Sequence, residues 1–359
     1  MRKGKIMGTI YQRLAEFLDS FPQRFPVNTE SGIELRILEY IFTPEEAEMT
    51  MNLQMGMQSP KSVAEKIGAD PDQTAAMLYD MSTKGQIFRI GKDSNYKYSP
   101  IPFLIGIYEF QLNRMDAKLA ELFEEFKPIL FESTWLKGHT KELRTIPVHE
   151  TIDQASAVMP YEIAEDVIKA ANNITLSECI CRKDTKMLGY DCSYPREVCM
   201  QFNHNGQYYA ENGFGRPVSE TEALEVLKGA VKAGLVIQLG SSQNPGGMCL
   251  CCSCCCAPLQ EYKKQDKPAE LANSSFFARV NDDECLACET CAERCPMEAI
   301  TADDIAHINL DRCIGCGVCA VACDESAISM VRKAKDQEFV PQKDARSAMM
   351  AIYQERRES

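Results

Sequence analysis

Cys285, Cys288, Cys291 and Cys295, and then Cys313, Cys316, Cys319 and Cys323, form two C-x2-C-x2-C-x3-C runs. Three thiols two residues apart on a tight loop can curl around three corners of a [4Fe–4S] cubane. The fourth, starting the next helix, points the other way and ligates the partner cluster. One cluster is therefore assigned to Cys285, Cys288, Cys291 and Cys323, the other to Cys313, Cys316, Cys319 and Cys295. Zinc is the weaker alternative here, because zinc ligands usually come as two separated pairs. Spacing of this kind points to a protein that moves electrons or senses them.

Ten more cysteines precede these runs. Cys179, Cys181, Cys192 and Cys199 come first, then the dense block Cys249, Cys251, Cys252, Cys254, Cys255 and Cys256. Ten thiols on one folded unit exceed ordinary core filling. Adjacent cysteines diverge along an extended segment, so the dense block is expected to feed two sites, each completed from the 179–199 segment. One or two further iron–sulfur clusters are expected, with zinc in one site as the runner-up and a redox-active dithiol third. Gly246-Gly247 reads as a turn or a close backbone approach to a cluster. Arg182 and Lys183 read as a solvated pair or as an offset to thiolate charge. The four histidines show no paired metal spacing, and only His204, five residues after Cys199, is a conceivable ligand.

The elements that must position these thiols follow from pattern. Residues 1–30 read as an arm with a short helix from Ile10 to Leu18. Residues 31–136 read as a winged-helix-like docking module with a linking helix. Its helices are opened by Thr43-Pro44, Ser59-Pro60 and Asp70-Pro71, and strands near Gln86–Ile90 and Tyr96–Tyr98 follow. Residues 101–136 read as helical. Residues 140–260 form a Cys-rich α/β domain, in which Ser219-Glu220-Thr221-Glu222 is a capping box. Residues 261–274 read as a charged linker. Residues 275–333 repeat internally at an offset of 28 positions, and residues 334–359 form a helical tail. The fold class is α+β, multidomain.

Composition narrows the function. The chain has 359 residues and a net charge of -13, which disfavours bulk nucleic-acid binding and suits a redox protein steered toward a basic partner. Residues 31–100 hold seven Lys/Arg against ten Asp/Glu, so the winged-helix-like module is read as a docking element and nucleic acid as an unlikely partner. The basic start Met1-Arg2-Lys3-Gly4-Lys5 is not followed by the apolar core of a signal peptide, and no run is long enough to span a bilayer. A cytoplasmic, reducing and anaerobic setting is expected. Neither a G-x4-G-K-[ST] phosphate loop nor a G-x-G-x-x-G fingerprint is present.

Residues 275–333 resemble a bacterial two-cluster ferredoxin domain, with Pro296 after the fourth cysteine of the first run and Asp324 in place of that proline in the second. The whole chain also resembles a family of "4Fe–4S binding proteins" of anaerobic bacteria and archaea. That likeness rests on Ser31 to Arg36, Thr43 to Ala47, Cys179 to Arg182, Gly215-Arg216-Pro217 and the Cys249–Cys256 block. It implies an electron-carrying role and names no substrate. The leading expectation is an electron-transfer subunit or partner of an anaerobic oxidoreductase. Next comes an iron–sulfur reductase with a substrate site in the Cys-rich domain, and last a redox-sensing transcription regulator.

Overall fold

Capping chemistry sets where the first helices begin. In the computed structural model, which describes residues 9–358, helix α1 spans Ile10–Asp19, α2 Ile33–Ile41, α3 Pro44–Asn52, α4 Pro60–Ile67 and α5 Pro71–Thr83. The side chains of Thr43, Ser59 and Asp70 each accept the N–H three residues on, and a proline follows each of them. That N–H would otherwise be unsatisfied, and proline has none to lose. Strands β1 (Phe88–Ile90) and β2 (Lys97–Ser99) pair antiparallel. Met49, Leu53, Val63, Leu78, Met81, Ile87 and Tyr98 form a core beneath them. Met49 belongs to that core, whereas Met55 and Met57 are exposed.

The stretch expected to be helical over 101–136 is only partly so. Helix α6 spans Ala117–Leu130, capped by Asp116. Before it, Leu104 is extended, Ile105 has φ of 52° and Gly106 is also non-helical, so 103–107 is an irregular turn. Pro100, Pro102 and Gly106 explain the break: proline disfavours helix in the residue before it, and glycine is entropically costly in a helix. The basic start at residues 1–5 lies outside the described residues.

The chain divides after Lys137 into two compact units. In the second, β3 (Leu143–Ile146), α7 (Ala164–Ala170), β4 (Thr175–Glu178), α8 (Ile180–Met187), β5 (Glu197–Gln201) and α9 (Asn203–Glu211) come first. Then follow β6 (Arg216–Pro217), α10 (Glu220–Ala233), β7 (Val236–Gly240), β8 (Gly247–Cys251) and α11 (Ala257–Lys263). Six strands make one sheet in the order β3-β7-β8-β5-β4-β6, with every neighbouring pair antiparallel. Side chains alternate across such a sheet. Leu176, Val198, Met200, Ile237, Leu239, Met248 and Leu250 enter a core with Val167 and Ile168 of α7 and Leu227 of α10. Cys199, Cys249 and Cys251 therefore point to the opposite face. The Ser219 hydroxyl caps α10 by accepting from the Glu222 N–H, and Gly234 ends that helix at φ 86°. Residues 261–274 do not begin as a free linker, because α11 runs through residue 263 with Glu261 and Tyr262 buried.

The remaining elements are β9 (Phe276–Val280), α12 (Thr290–Arg294), β10 (Ile300–Ala302), β11 (Ala306–Ile308), α13 (Val318–Val321), β12 (Ile328–Arg332) and α14 (Ala345–Glu358). β9 pairs with β12, and β10 with β11. This half packs on the sheet half: the Asp153 N–H donates to the Met330 carbonyl at 2.9 Å, Arg279 meets Asp153 at 2.7 Å, and Arg294 donates to the Lys232 carbonyl at 3.2 Å. The tail helix is held by Glu355, which accepts from the N–H groups of His139 and Thr140 and from the Thr140 hydroxyl.

Candidate metal centre

All eighteen cysteines are free thiols, and the fold sorts them into separate groups. In the C-terminal half, Cys295 closes α12 of the first run, yet it lines the same apolar cavity as Cys313, Cys316 and Cys319 of the second. Ile300 and Met330 are among its walls. Tight backbone makes the approach possible. Gly315 and Gly317 have φ of 71° and 77°, and a Cβ on Gly315 would lie 2.2 Å from the Phe276 carbonyl oxygen. Backbone N–H groups face the sulfurs, from Ala278 to Cys313 at 3.5 Å, Ala299 to Cys295 at 3.3 Å and Ala306 to Cys285 at 3.4 Å. Such donors compensate negative charge on thiolate. Burial pushes the Cys316 and Cys319 thiols well above their ordinary range, so these sulfurs need a metal's positive charge to ionise. Cys288 of the first run is exposed.

Four of the ten upstream cysteines converge tightly. The sulfurs of Cys192, Cys252, Cys254 and Cys255 all lie within 4.8 Å of one another. Cys192 is 3.9 Å from Cys252 and 3.6 Å from Cys254, and Cys254 is 3.8 Å from Cys255. A turn over 253–255 replaces the extended backbone that would have driven adjacent cysteines apart. The Thr185 hydroxyl donates to the Cys255 sulfur at 3.3 Å.

The other six, Cys179, Cys181, Cys199, Cys249, Cys251 and Cys256, form a wider ring. Register brings two of them together: Met200 pairs with Met248, so Cys199 and Cys249 stand opposite one another and each thiol shifts the other's ionisation. Cys251 acts on Cys249 in the same way, and Cys256 on Cys251. Cys179 and Cys181 likewise shift each other's ionisation at the start of α8. Charge interactions from Cys181 to Cys256 and from Cys199 to Cys179 close the circuit. The dense block thus splits three and three.

Polar groups around the ring are built for anionic sulfur. Gln201 donates to the Cys199 sulfur at 3.3 Å. Gln238, paired with Cys249 across β7 and β8 and so on the same face, is 2 % exposed and its Nε2 has no hydrogen-bond partner. A buried donor left unpaired is costly, and a sulfide or thiolate ligand would satisfy it. Arg182 stands between the two groups. It is wholly buried rather than solvated, donates to the carbonyls of Pro195 and Leu250 at 2.7 and 3.1 Å, and its charge acts on Cys179, Cys252 and Cys251. Lys183 instead pairs with Glu178 at 3.5 Å. A hydrogen bond from Cys255, with Arg182 adding to it, holds the Cys252 thiol down at about 4. Hydrogen bonds from Cys199 and Cys251 depress Cys249 likewise. These sulfurs are ready to ligate as thiolates.

Of the two readings for Arg182 the fold favours the offset to thiolate charge, since the side chain is buried, while Gln238 carries no signal in the sequence because only the fold reveals its burial. Alternation of Cys249 and Cys251 with Met248 and Leu250 was the one linear hint that this strand has a thiol face.

Comparison with known families agrees with the C-terminal geometry. A family model described as a 4Fe–4S dicluster domain matches residues 277–328. No curated protein and no solved structure matches the chain. The chain thus carries a C-terminal iron–sulfur dicluster domain within a mixed α+β fold, together with a separate cysteine-rich site suited to a metal. Among the described residues no helix is long and apolar enough to cross a membrane.

Proposed function

We propose that this protein is an iron–sulfur electron carrier serving an oxidoreductase partner. Cys285, Cys288, Cys291 and Cys323 would hold one [4Fe–4S] cluster, and Cys295, Cys313, Cys316 and Cys319 the second. The six-thiol ring would hold a further cluster. Each cluster supplies one-electron storage at a potential set by charge, hydrogen bonding and solvation. The observation that carries this reading is the presence of Cys295, from the first run, in the cavity walled by three cysteines of the second.

The chain's own residues then do three things. Exposed Cys288 gives the first cluster an edge toward solvent, where a partner exchanges electrons. Backbone N–H groups and Arg182 offset the negative charge of the thiolates, which favours the reduced state. Tyr194 lies 6.0 Å from the Arg182 guanidinium and feels the charges of both Arg294, beside Cys295, and Cys254. The sheet half and the dicluster half are therefore electrostatic neighbours.

The winged-helix-like helices and hairpin of the first unit belong to this reading as a docking module, not a DNA reader. Lys84, at the end of α5, is engaged by Glu46 and Asp80 at 2.7 and 2.5 Å. Arg89 is buried against Tyr79 and Tyr96. Neither is disposed toward phosphate. A reducing cytoplasm suits so many free thiols.

The test is low-temperature EPR with iron and sulfide analysis on Cys295→Ala and Cys323→Ala. Crossed ligation requires Cys295→Ala to remove the signal of the cluster held by the second run, and Cys323→Ala that of the first. If each variant removes the signal of its own run, the assignment fails. Iron limited to about eight per chain, the content of two cubanes, would remove the ring cluster. A second reading, a reductase, rests on the ring having more thiols than the four a cubane uses. Turnover of small disulfides with a low-potential donor would favour it.

A further inference from the structure

The two upstream thiol groups differ in size, and the difference is chemical. A single ion bound by four thiolates at about 2.3 Å in a tetrahedron has sulfur–sulfur edges of about 3.8 Å. The edges measured among Cys192, Cys252, Cys254 and Cys255 are 3.6, 3.8 and 3.9 Å. A cubane interposes four irons between its thiolates and holds the sulfurs much farther apart. Among the described residues, neither the C-terminal cysteines nor the six-thiol ring form a group with all sulfurs mutually within 4.8 Å. The four-thiol group has the spacing of one ion, and among the described residues no other set of cysteines does.

We propose that Cys192, Cys252, Cys254 and Cys255 bind one zinc ion as a closed tetrathiolate site, distinct from every cluster in the chain. The position in the fold fits a structural ion. Cys192 lies in the irregular stretch between α8 and β5, and the other three lie in the turn between β8 and α11. An ion here staples two loops that have no strand pairing with one another. It also fixes the start of β5, which carries Cys199 of the ring, and the start of α11, whose cap is Cys256 of the ring. The surrounding donors suit a dianionic tetrathiolate. The Thr185 hydroxyl donates to the Cys255 sulfur at 3.3 Å, and the buried Arg182 guanidinium donates to the Leu250 carbonyl beside this turn. Sulfur-only tetrahedral sites select zinc or iron, and four protein ligands with no open position are the mark of structural zinc.

This proposal goes beyond the electron-carrier reading and fails independently of it. The experiment is zinc and iron analysis of the full chain purified anaerobically, with zinc K-edge X-ray absorption on the unaltered protein. One zinc per chain, surrounded by four sulfurs at about 2.3 Å, is expected. The Cys192→Ala, Cys254→Ala double variant should lose that zinc and keep the EPR signals of the 285–323 clusters, which also report that the second unit still folds. A chain full of iron but free of zinc overturns the proposal. So does a zinc edge dominated by nitrogen or oxygen, or a double variant that retains its zinc.

Discussion

Asp324 is exposed, and its charge acts on the Cys288 thiol. A carboxylate beside a cluster makes the added electron less favourable, so it lowers the potential. Asp324→Asn should raise the midpoint of the cluster assigned to Cys285, Cys288, Cys291 and Cys323, and leave the other unchanged. The shift should be on the order of tens of millivolts and should shrink with salt, since solvent and ions screen exposed charge; a redox titration with no change disproves the effect. Lys141 is the opposite kind of residue. It is 3 % exposed, and burial pulls its ammonium down from 10.5 to about 8 against the opposing charge of Glu355. Between those values the unfolded chain binds the proton and the folded chain does not, so stability rises with pH across that window. The gain over the window is about 3 kcal/mol. Urea titrations from pH 8 to 10.5 should show this rise in the wild type, and Lys141→Met should lack it.

At the scale of elements, the 28-residue repeat is visible in the backbone. Gly315 and Gly317 take left-handed conformations, and the residues 28 positions earlier, Ala287 and Glu289, take them too, with φ of 51° and 64°. A side chain there costs about 1–2 kcal/mol, so the first loop is strained where the second is relaxed. Ala287→Gly with Glu289→Gly should stabilise the first cluster loop by about 1 kcal/mol per site, after the extra entropy glycine brings to the unfolded chain. Slower loss of that cluster's EPR signal under chelator would show it, and faster loss would refute it. The comparison also shows what sequence can and cannot carry. Thr43, Ser59 and Asp70 announced their helices because capping is local. The break at 103–107 was missed because an apolar run hides a turn when its side chains are buried anyway. The fate of Cys252, Cys254 and Cys255 was illegible for a similar reason. Whether consecutive thiols diverge depends on a turn that nothing in Cys-Ser-Cys-Cys announces.

For the whole molecule, the division after Lys137 leaves every cysteine in the second unit. Metal that binds the folded state and not the unfolded one adds its binding energy to stability. Removing iron and zinc with chelator under reducing conditions should lower the unfolding midpoint of residues 138–359 and leave that of the first unit in place. Calorimetry would resolve the two transitions, and a common shift of both would contradict this. The clustering of chemistry in one unit was readable from cysteine positions alone. The packing of the sheet half on the dicluster half was not, since Arg279–Asp153 and Arg294–Lys232 join residues far apart in the chain.

The six-stranded sheet has methionine and leucine on one side and sulfur on the other, along the same two strands. Pleating makes these faces inseparable: Met248, Cys249, Leu250 and Cys251 are one continuous backbone. A chain that fails to acquire its metals, or loses them to oxygen, would therefore loosen the apolar side as well and present it to proteases.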